Sequence, residues 1–232
     1  ALKHACLENK VILNLHWIDA DNFDIEELSS LDGVVVPGGF GYRGIEGKIS
    51  AIEYIRKNNI PFLGICLGLQ CAVIEFARNV CGISDANSSE FSKNSKNPVI
   101  DILPNQNLEK DDIGASMRLG TYPCKVIPDT HAQEIYGNEI VYERHRHRYE
   151  VNNKYRKDLE ASGLVFSGVS PDDDLIEMIE LKDHPFFVAS QFHPEFKSRP
   201  WDPAPMFNSF IKASKEIDIS TEKIDDSSKV RD

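Results

Sequence analysis

No stretch of this sequence stays apolar for the roughly 20 residues that a membrane helix needs. The longest apolar runs, such as Gly33–Val36 and Phe62–Leu69, stop far short, so no membrane contact is expected. The opening residues lack a basic segment followed by an apolar one, so a secretion signal is not expected either. Cysteine is sparse: five residues, odd in number, irregularly spaced and without a C-x-x-C pair. That argues against a disulfide framework and fits a reducing, cytoplasmic setting. Basic residues are outnumbered, 26 Lys and Arg against 37 Asp and Glu, a net charge of −11. Such a surface repels phosphate backbones, so no nucleic-acid partner is expected. Internal repeats and linkers are missing too. With 41% hydrophobic and 27% charged residues, the chain is not a collagen, a coiled coil or a wholly disordered polymer.

What is present is enough to bury a full core: 232 residues, read as one domain over 1–217. The polar, aperiodic tail at 218–232 is expected to be disordered. Val11, Leu13 and Leu15 in period two predict a strand over Val11–Ile18. Gly33–Pro37 and Pro61–Ile65 are short continuous apolar runs, the mark of strands buried on both faces. Ile45, Ile49, Ile52 and Ile55 predict one helix, and Leu69, Val73, Phe76 and Val80 another over Leu67–Val80. Further strands are expected at Met117–Val126, Leu164–Val169, Leu175–Leu181 and Phe186–Phe192, with helices at Asn153–Ala161 and Ala204–Glu216. Residues 84–115 read as surface loop broken by Pro98–Leu103. This order predicts an α/β fold: an open, mostly parallel, doubly wound sheet with helices on both faces.

The sharpest feature is Gly64-Ile65-Cys66-Leu67-Gly68 at a strand–helix junction, a nucleophile elbow with cysteine in the serine position. Both glycines permit close backbone packing around the turn. The turn sets Cys66 at a helix N-terminus, where the dipole favours a thiolate, and brings the Leu67 N–H near as an oxyanion donor. Most free cysteines are simply small core residues, and Cys71 and Cys81 are read that way. Gln191-Phe192-His193-Pro194-Glu195-Phe196 supplies a base and its orienting carboxylate two residues apart, as a cysteine nucleophile requires. Pro37-Gly38-Gly39-Phe40-Gly41 follows another buried strand. Its glycines let a backbone N–H approach a ligand oxygen. All three segments are expected at the carboxyl edge of the sheet, where sites of open α/β folds lie. Gly47-Lys48 resembles the end of a phosphate-binding loop. Tyr42 and Ile49 stand where that motif needs Gly and Ser or Thr, so it is rejected.

Arg144-His145-Arg146-His147-Arg148-Tyr149 alternates two residue types, which on a strand would put arginines on one face and histidines on the other. A metal site at His145 and His147 lacks a third ligand nearby and is crowded by cations. A carboxylate-binding role for one arginine is the better reading, and a solvated or salt-bridged role suits the other two.

Together PGGFG, GICLGLQ and FHPEF resemble the class I, triad-type glutamine amidotransferases. The longer forms PGGFGYRGIEGK, FLGICLGLQ, NSSEF, MRLG, RHRHRYEVN and VASQFHPEF, over roughly residues 32–199, resemble the glutaminase domain of the CTP synthase family. That resemblance implies Cys66 as nucleophile, His193 as base and Glu195 as its orienting group. It implies an oxyanion site at the N–H groups of Gly39 and Leu67. Gly68, Leu69 and Gln70 would lie in the substrate-contacting run, with Glu90 on the α-amino group of L-glutamine and Arg148 on its α-carboxylate. It further implies ammonia transfer to an amidoligase (synthase) domain outside these residues, within a homotetrameric ligase of pyrimidine biosynthesis that uses ATP and Mg²⁺ and responds to GTP. The glutaminase domain itself would need no cofactor and, isolated, would be a monomer. The family fold opens with a strand and helix ahead of the segment resembling Ala1–Glu8. The alternatives are another class I amidotransferase or a γ-glutamyl hydrolase with the same triad, and a non-catalytic regulatory module of this fold.

Overall fold

The structure is a computed structural model that describes residues 1–102 and 117–227, with side chains to residue 216. Its regular elements are α1 (Leu2–Asn9), β1 (Val34–Val36), α2 (Ile45–Lys57), β2 (Phe62–Ile65), α3 (Leu67–Asn79), β3 (Ala86–Ser88), β4 (Asn97–Ile102), β5 (Arg118–Val126), α4 (His131–Tyr136), β6 (Ile140–His147), β7 (Tyr149–Val151), α5 (Arg156–Ala161), β8 (Val165–Val169), β9 (Ile176–Glu180), β10 (Phe187–Ser190) and α6 (Pro205–Ser227).

A seven-stranded sheet runs in the order β1-β2-β10-β9-β8-β5-β6, and a three-stranded sheet in the order β3-β4-β7. The buried runs form parallel strands at the expected places: Val36 pairs with Gly64 and Ser190 with Ile65. Within the large sheet, parallelism ends there. β10–β9, β9–β8, β8–β5 and β5–β6 are all antiparallel, so the large sheet is mixed rather than mostly parallel. The cause is connection length: β8, β9 and β10 are joined by short turns, which can only return a strand antiparallel, whereas a parallel neighbour needs a long crossover. Side chains of β2 and β10 alternate between two apolar layers. Phe62, Phe187 and Ala189 face the layer under α2 and α3, while Leu63, Ile65 and Val188 face the layer under α1 and α6. The sheet is therefore covered on both sides.

Other expectations differ from the structure as well. Val11–Ile18 forms no strand: Val11 and Leu13 lean on the second apolar layer, but Ile12 and Trp17 are 98% and 88% exposed. Period-two spacing specifies a face, yet a strand also needs a partner for its backbone, and none among the described residues pairs with it. β3 occupies part of the expected loop at 84–115, and β4 falls on the break expected at Pro98–Leu103, while residues 103–116 lie outside the described residues. Residues 218–227, expected in the tail, are assigned to α6, which is described as far as Ser227. No proline or glycine follows Pro205 within that helix to stop it. Residues 228–232 are outside the described residues. The helix α4 and the strand β6 were not assigned from sequence as elements in their own right. Thr130 accepts from the Gln133 N–H to cap α4, and Gly137 closes it at φ 66°.

The close approach of α3 to β1 is what holds the elbow. A Cβ on Gly68 would overlap the Val36 carbonyl oxygen, and one on Gly64 would sit 2.7 Å from the Ala189 Cβ. We therefore expect Gly68→Ala to destabilise the chain by about 1–3 kcal/mol, the usual cost of overpacking, read as a lower urea midpoint. An unchanged midpoint would contradict this packing.

Candidate active site

Each parallel strand ends in a site segment. β1 runs into Gly38-Gly39, β2 into Cys66, and β10 into Gln191-Phe192-His193, all at one edge of the sheet. Cys66 has φ 53° and ψ −100°, a backbone conformation strained for any side chain. It is held there from both sides: its N–H donates to the Ser190 carbonyl at 2.7 Å, and its carbonyl accepts from the Gln70 N–H at 3.2 Å. Cys66 lies beneath the surface, 3% exposed as a residue. Burial pushes the Cys66 thiol up to about 12, the Leu67 amide at the sulfur opposes that rise, and the carboxylates of Glu150, Glu195 and Glu90 add to it. The helix N-terminus alone therefore does not yield the expected resting thiolate; the Cys66 sulfur rests as a thiol, and chemistry there would need a base to take its proton.

The candidate base, His193, precedes a short helical turn at Pro194–Phe196, with Pro194 in its first position. His193 Nδ1 and Glu195 Oε1 are 2.7 Å apart. A carboxylate can only accept, so Nδ1 carries a proton, and in the neutral ring Nε2 is the acceptor. Nε2 is buried with no hydrogen-bond partner among the described residues. The His193 ring stacks on Phe196, centroids 5.1 Å apart, and the His193 backbone N–H donates to the Arg144 carbonyl at 2.8 Å. Gly38 lies between the two catalytic candidates. A Cβ there would come 2.7 Å from the His193 ring and 3.6 Å from the Cys66 Cβ. Gly39 packs on Leu67, where a Cβ would meet the leucine side chain at 3.0 Å. The structure thus brings Cys66, His193, Glu195, Gly39 and Leu67 together.

The remaining candidates gather around the crossing from β6 to β7. Arg148 sits between the two strands, with its Nε buried and unpartnered among the described residues. Glu90 follows β3 and accepts from the Gly41 N–H at 3.0 Å, tying the glycine loop down. Both charges reach the Tyr149 phenol, which burial raises first, Glu90 raises further and Arg148 lowers. Gln70 turns inward to the Tyr149 carbonyl at 3.1 Å and to Gln191 at 3.2 Å. Gly68 meets Val36, and the Leu69 side chain is fully buried in the core between α3 and the sheet.

The alternation in RHRHR sorts as expected: Arg144 and Arg146 are exposed, while His145 and His147 are buried. The two histidines hydrogen-bond each other at 2.9 Å and share a buried cluster in which Arg118 pairs with Glu177 at 2.6 Å and Glu150 at 3.4 Å. Burial, followed by the Arg118 charge, drives His145 down to about 2 and His147 to about 3, so both are neutral. Burial lifts the carboxyls of Glu150 and Glu177. Among the described residues no three His, Cys, Asp or Glu are arranged to hold a metal ion, and no helix is long and apolar enough to cross a membrane. The sequence assigns no individual role to Gln191, which adjoins the sulfur, and reads Gly38 only for backbone approach to a ligand, not for its contact with the His193 ring. For Gln191 the signal was a polar residue at the end of an apolar run, directly before the histidine.

A family model described as glutamine amidotransferase class-I matches residues 1–213. The chain belongs to that family. Within it, the chain corresponds to the glutaminase domain of CTP synthases. A CTP synthase from Caldanaerobacter subterraneus subsp. tengcongensis is 58% identical over 224 residues, 95% of this chain and 42% of that protein. One from Carboxydothermus hydrogenoformans is 59% identical over 218 residues, 92% of this chain and 41% of that protein. The chain therefore spans well under half the length of these curated relatives. The solved glutaminase domain of Trypanosoma brucei CTPS, with bound acivicin, superposes with a TM-score of 0.88 at 40% identity, over 93% of this chain and 85% of that one.

For this amidotransferase family member, the raised thiol sets a pH dependence. Thiolate population grows with pH until the thiol pKa is passed. Iodoacetamide labelling of Cys66, followed by peptide mass, should therefore keep accelerating through pH 9 in the absence of substrate. A plateau below pH 7 would contradict a buried, protonated resting sulfur.

Proposed function

We propose that the chain hydrolyses L-glutamine to glutamate and ammonia with Cys66, His193 and Glu195. The observation that carries this reading is the 2.7 Å His193–Glu195 contact, which leaves Nε2 bare while the same ring shares Gly38 with Cys66. In the first step the Sγ proton passes to His193 Nε2 as the sulfur bonds to the amide carbon of the glutamine side chain. The carbonyl oxygen becomes an oxyanion met by the N–H groups of Gly39 and Leu67. Glu195 stabilises the imidazolium through Nδ1–H. His193 then gives its proton to the amide nitrogen, the C–N bond breaks and ammonia leaves, with the glutamyl group held as a thioester. Next, water loses a proton to His193 and attacks the thioester carbon. The C–S bond breaks, the sulfur takes the proton back, and glutamate departs.

Free glutamine is a zwitterion, so its site needs one charge of each sign. The unpartnered Arg148 Nε fits the α-carboxylate, since guanidinium reads carboxylates in a fork geometry. Glu90 fits the α-ammonium, which would share its carboxylate with the Gly41 N–H. In this reading the ammonia serves ATP-dependent amination of UTP by a synthase domain of the same enzyme, which uses ATP and Mg²⁺, while GTP activates the glutaminase. No cofactor is needed for the hydrolysis itself.

The direct test incubates the chain with glutamine, ATP, UTP, Mg²⁺ and GTP and measures glutamate and CTP separately. Glutamate should form, without CTP, and Cys66→Ala should bring glutamate to background while the unfolding midpoint holds. Glutamate release by Cys66→Ala near the unmodified rate would overturn the assignment. Arg148→Ala should cost about 2–5 kcal/mol in kcat/KM, as expected for truncating one side of a buried charge pair, and Arg144→Ala much less. Equal effects would show that the wrong arginine is assigned to the carboxylate.

A further inference from the structure

Gln191 is fully buried, carries no charge and plays no part in the steps above. Its side chain nevertheless touches the reacting sulfur. Hydrogen-bond polarity settles which end faces it. The Tyr149 carbonyl can only accept, so the Gln70 group 3.1 Å from it must be the amide nitrogen. That same nitrogen lies 3.2 Å from the Gln191 amide, which must answer with its oxygen. The Gln191 nitrogen is then left to face Cys66, at 3.6 Å from Sγ. The orientation is thus imposed by a main-chain carbonyl two links away. The backbone of Gln191 is fixed as well, its N–H donating to the Glu177 carbonyl at 2.8 Å. Among the described residues, the charges that act on the sulfur include the carboxylates of Glu150, Glu195 and Glu90, all of which disfavour a thiolate.

We propose that Gln191 is a positioning residue for the nucleophile: its amide N–H, oriented through Gln70 by the Tyr149 carbonyl, donates to the Cys66 sulfur and supports the negative charge that develops there. A neutral donor suits this place. It stabilises the thiolate without the ion pair that would hold the sulfur back from the substrate carbon. The chain of bonds also starts one residue from Arg148, so the segment that reads the substrate carboxylate and the donor that steadies the nucleophile share one anchor.

The inference rests on Cys66 being the nucleophile, which Cys66→Ala tests by itself; the experiment here needs no turnover. Gln191→Met and Gln191→Leu remove the donor while keeping the buried volume close. Iodoacetamide labelling of Cys66 at pH 8 is followed by peptide mass, with the buried Cys71 and Cys124 as internal reporters of an intact core. Loss of the donor should slow Cys66 labelling about tenfold, the change that one pKa unit makes below the pKa, with Cys71 and Cys124 still protected. A purely structural role predicts the opposite sign, because a loosened core exposes the sulfur and speeds labelling. In glutamine hydrolysis kcat should fall with KM unchanged, and Gln70→Leu should act in the same direction but less. Labelling of Cys66 that is unchanged or faster in the variants would overturn the proposal. So would labelling of Cys71 and Cys124 in both variants, since the amide would then serve the core.

Discussion

The strained backbone at Cys66 is the constraint around which the rest of the site is arranged. A cysteine at φ 53° costs about 1–3 kcal/mol and survives only where its surroundings overdetermine it. Here β2 lies between β1 and β10, α3 starts at the next residue, and Gly64 and Gly68 let backbone and neighbouring side chains close in from both sides. None of these contacts involves the sulfur, so the turn can be fixed by packing while Sγ stays available for chemistry. Because β1 and β10 run parallel to β2, their own ends deliver the glycine loop and the histidine to the same edge.

The other half of the site comes from the far edge of the large sheet. β5 pairs with β8 only at Lys125 and Val126, but with β6 from Arg118 to Lys125. The outer part of this hairpin therefore runs beyond the main sheet and curls back over the strand ends. It places the Arg144 carbonyl on the His193 N–H, the Arg146 carbonyl 3.9 Å from Sγ and the Tyr149 carbonyl on Gln70. β6 then leaves the large sheet at Arg148 and enters the small one as β7, beside the segment that carries Glu90. Beneath the hairpin the Arg118–Glu177–Glu150 cluster and two neutral histidines fill the space that its alternation turns inward.

Much of this was legible from residue pattern. The glycine bracket located the elbow, because a sharp strand–helix turn forbids side chains at two fixed positions. Pro194 and the spacing of His193 and Glu195 marked a contact that local geometry alone can close. The Arg/His alternation gave the two faces of β6 before its neighbours were known. What resisted reading depends on partners distant in sequence. The antiparallel half of the sheet follows from turn lengths rather than from strand composition. Val11–Ile18 carries a strand pattern without a strand, and α6 runs on through a polar stretch that contains no breaker. Gln191 belongs to the same class: its importance lies in contacts with residues 70 and 66, which no local window contains.

The central claim is that Cys66, alone among five cysteines, is presented to a glutamine-shaped ligand as a nucleophile. The measurement that meets it most directly is covalent trapping by a glutamine analogue carrying an electrophilic carbon in place of the side-chain amide, with the adduct located by peptide mass. The account predicts one adduct per chain, on Cys66, suppressed by excess L-glutamine. An adduct distributed over other cysteines, or one that glutamine does not suppress, would contradict it.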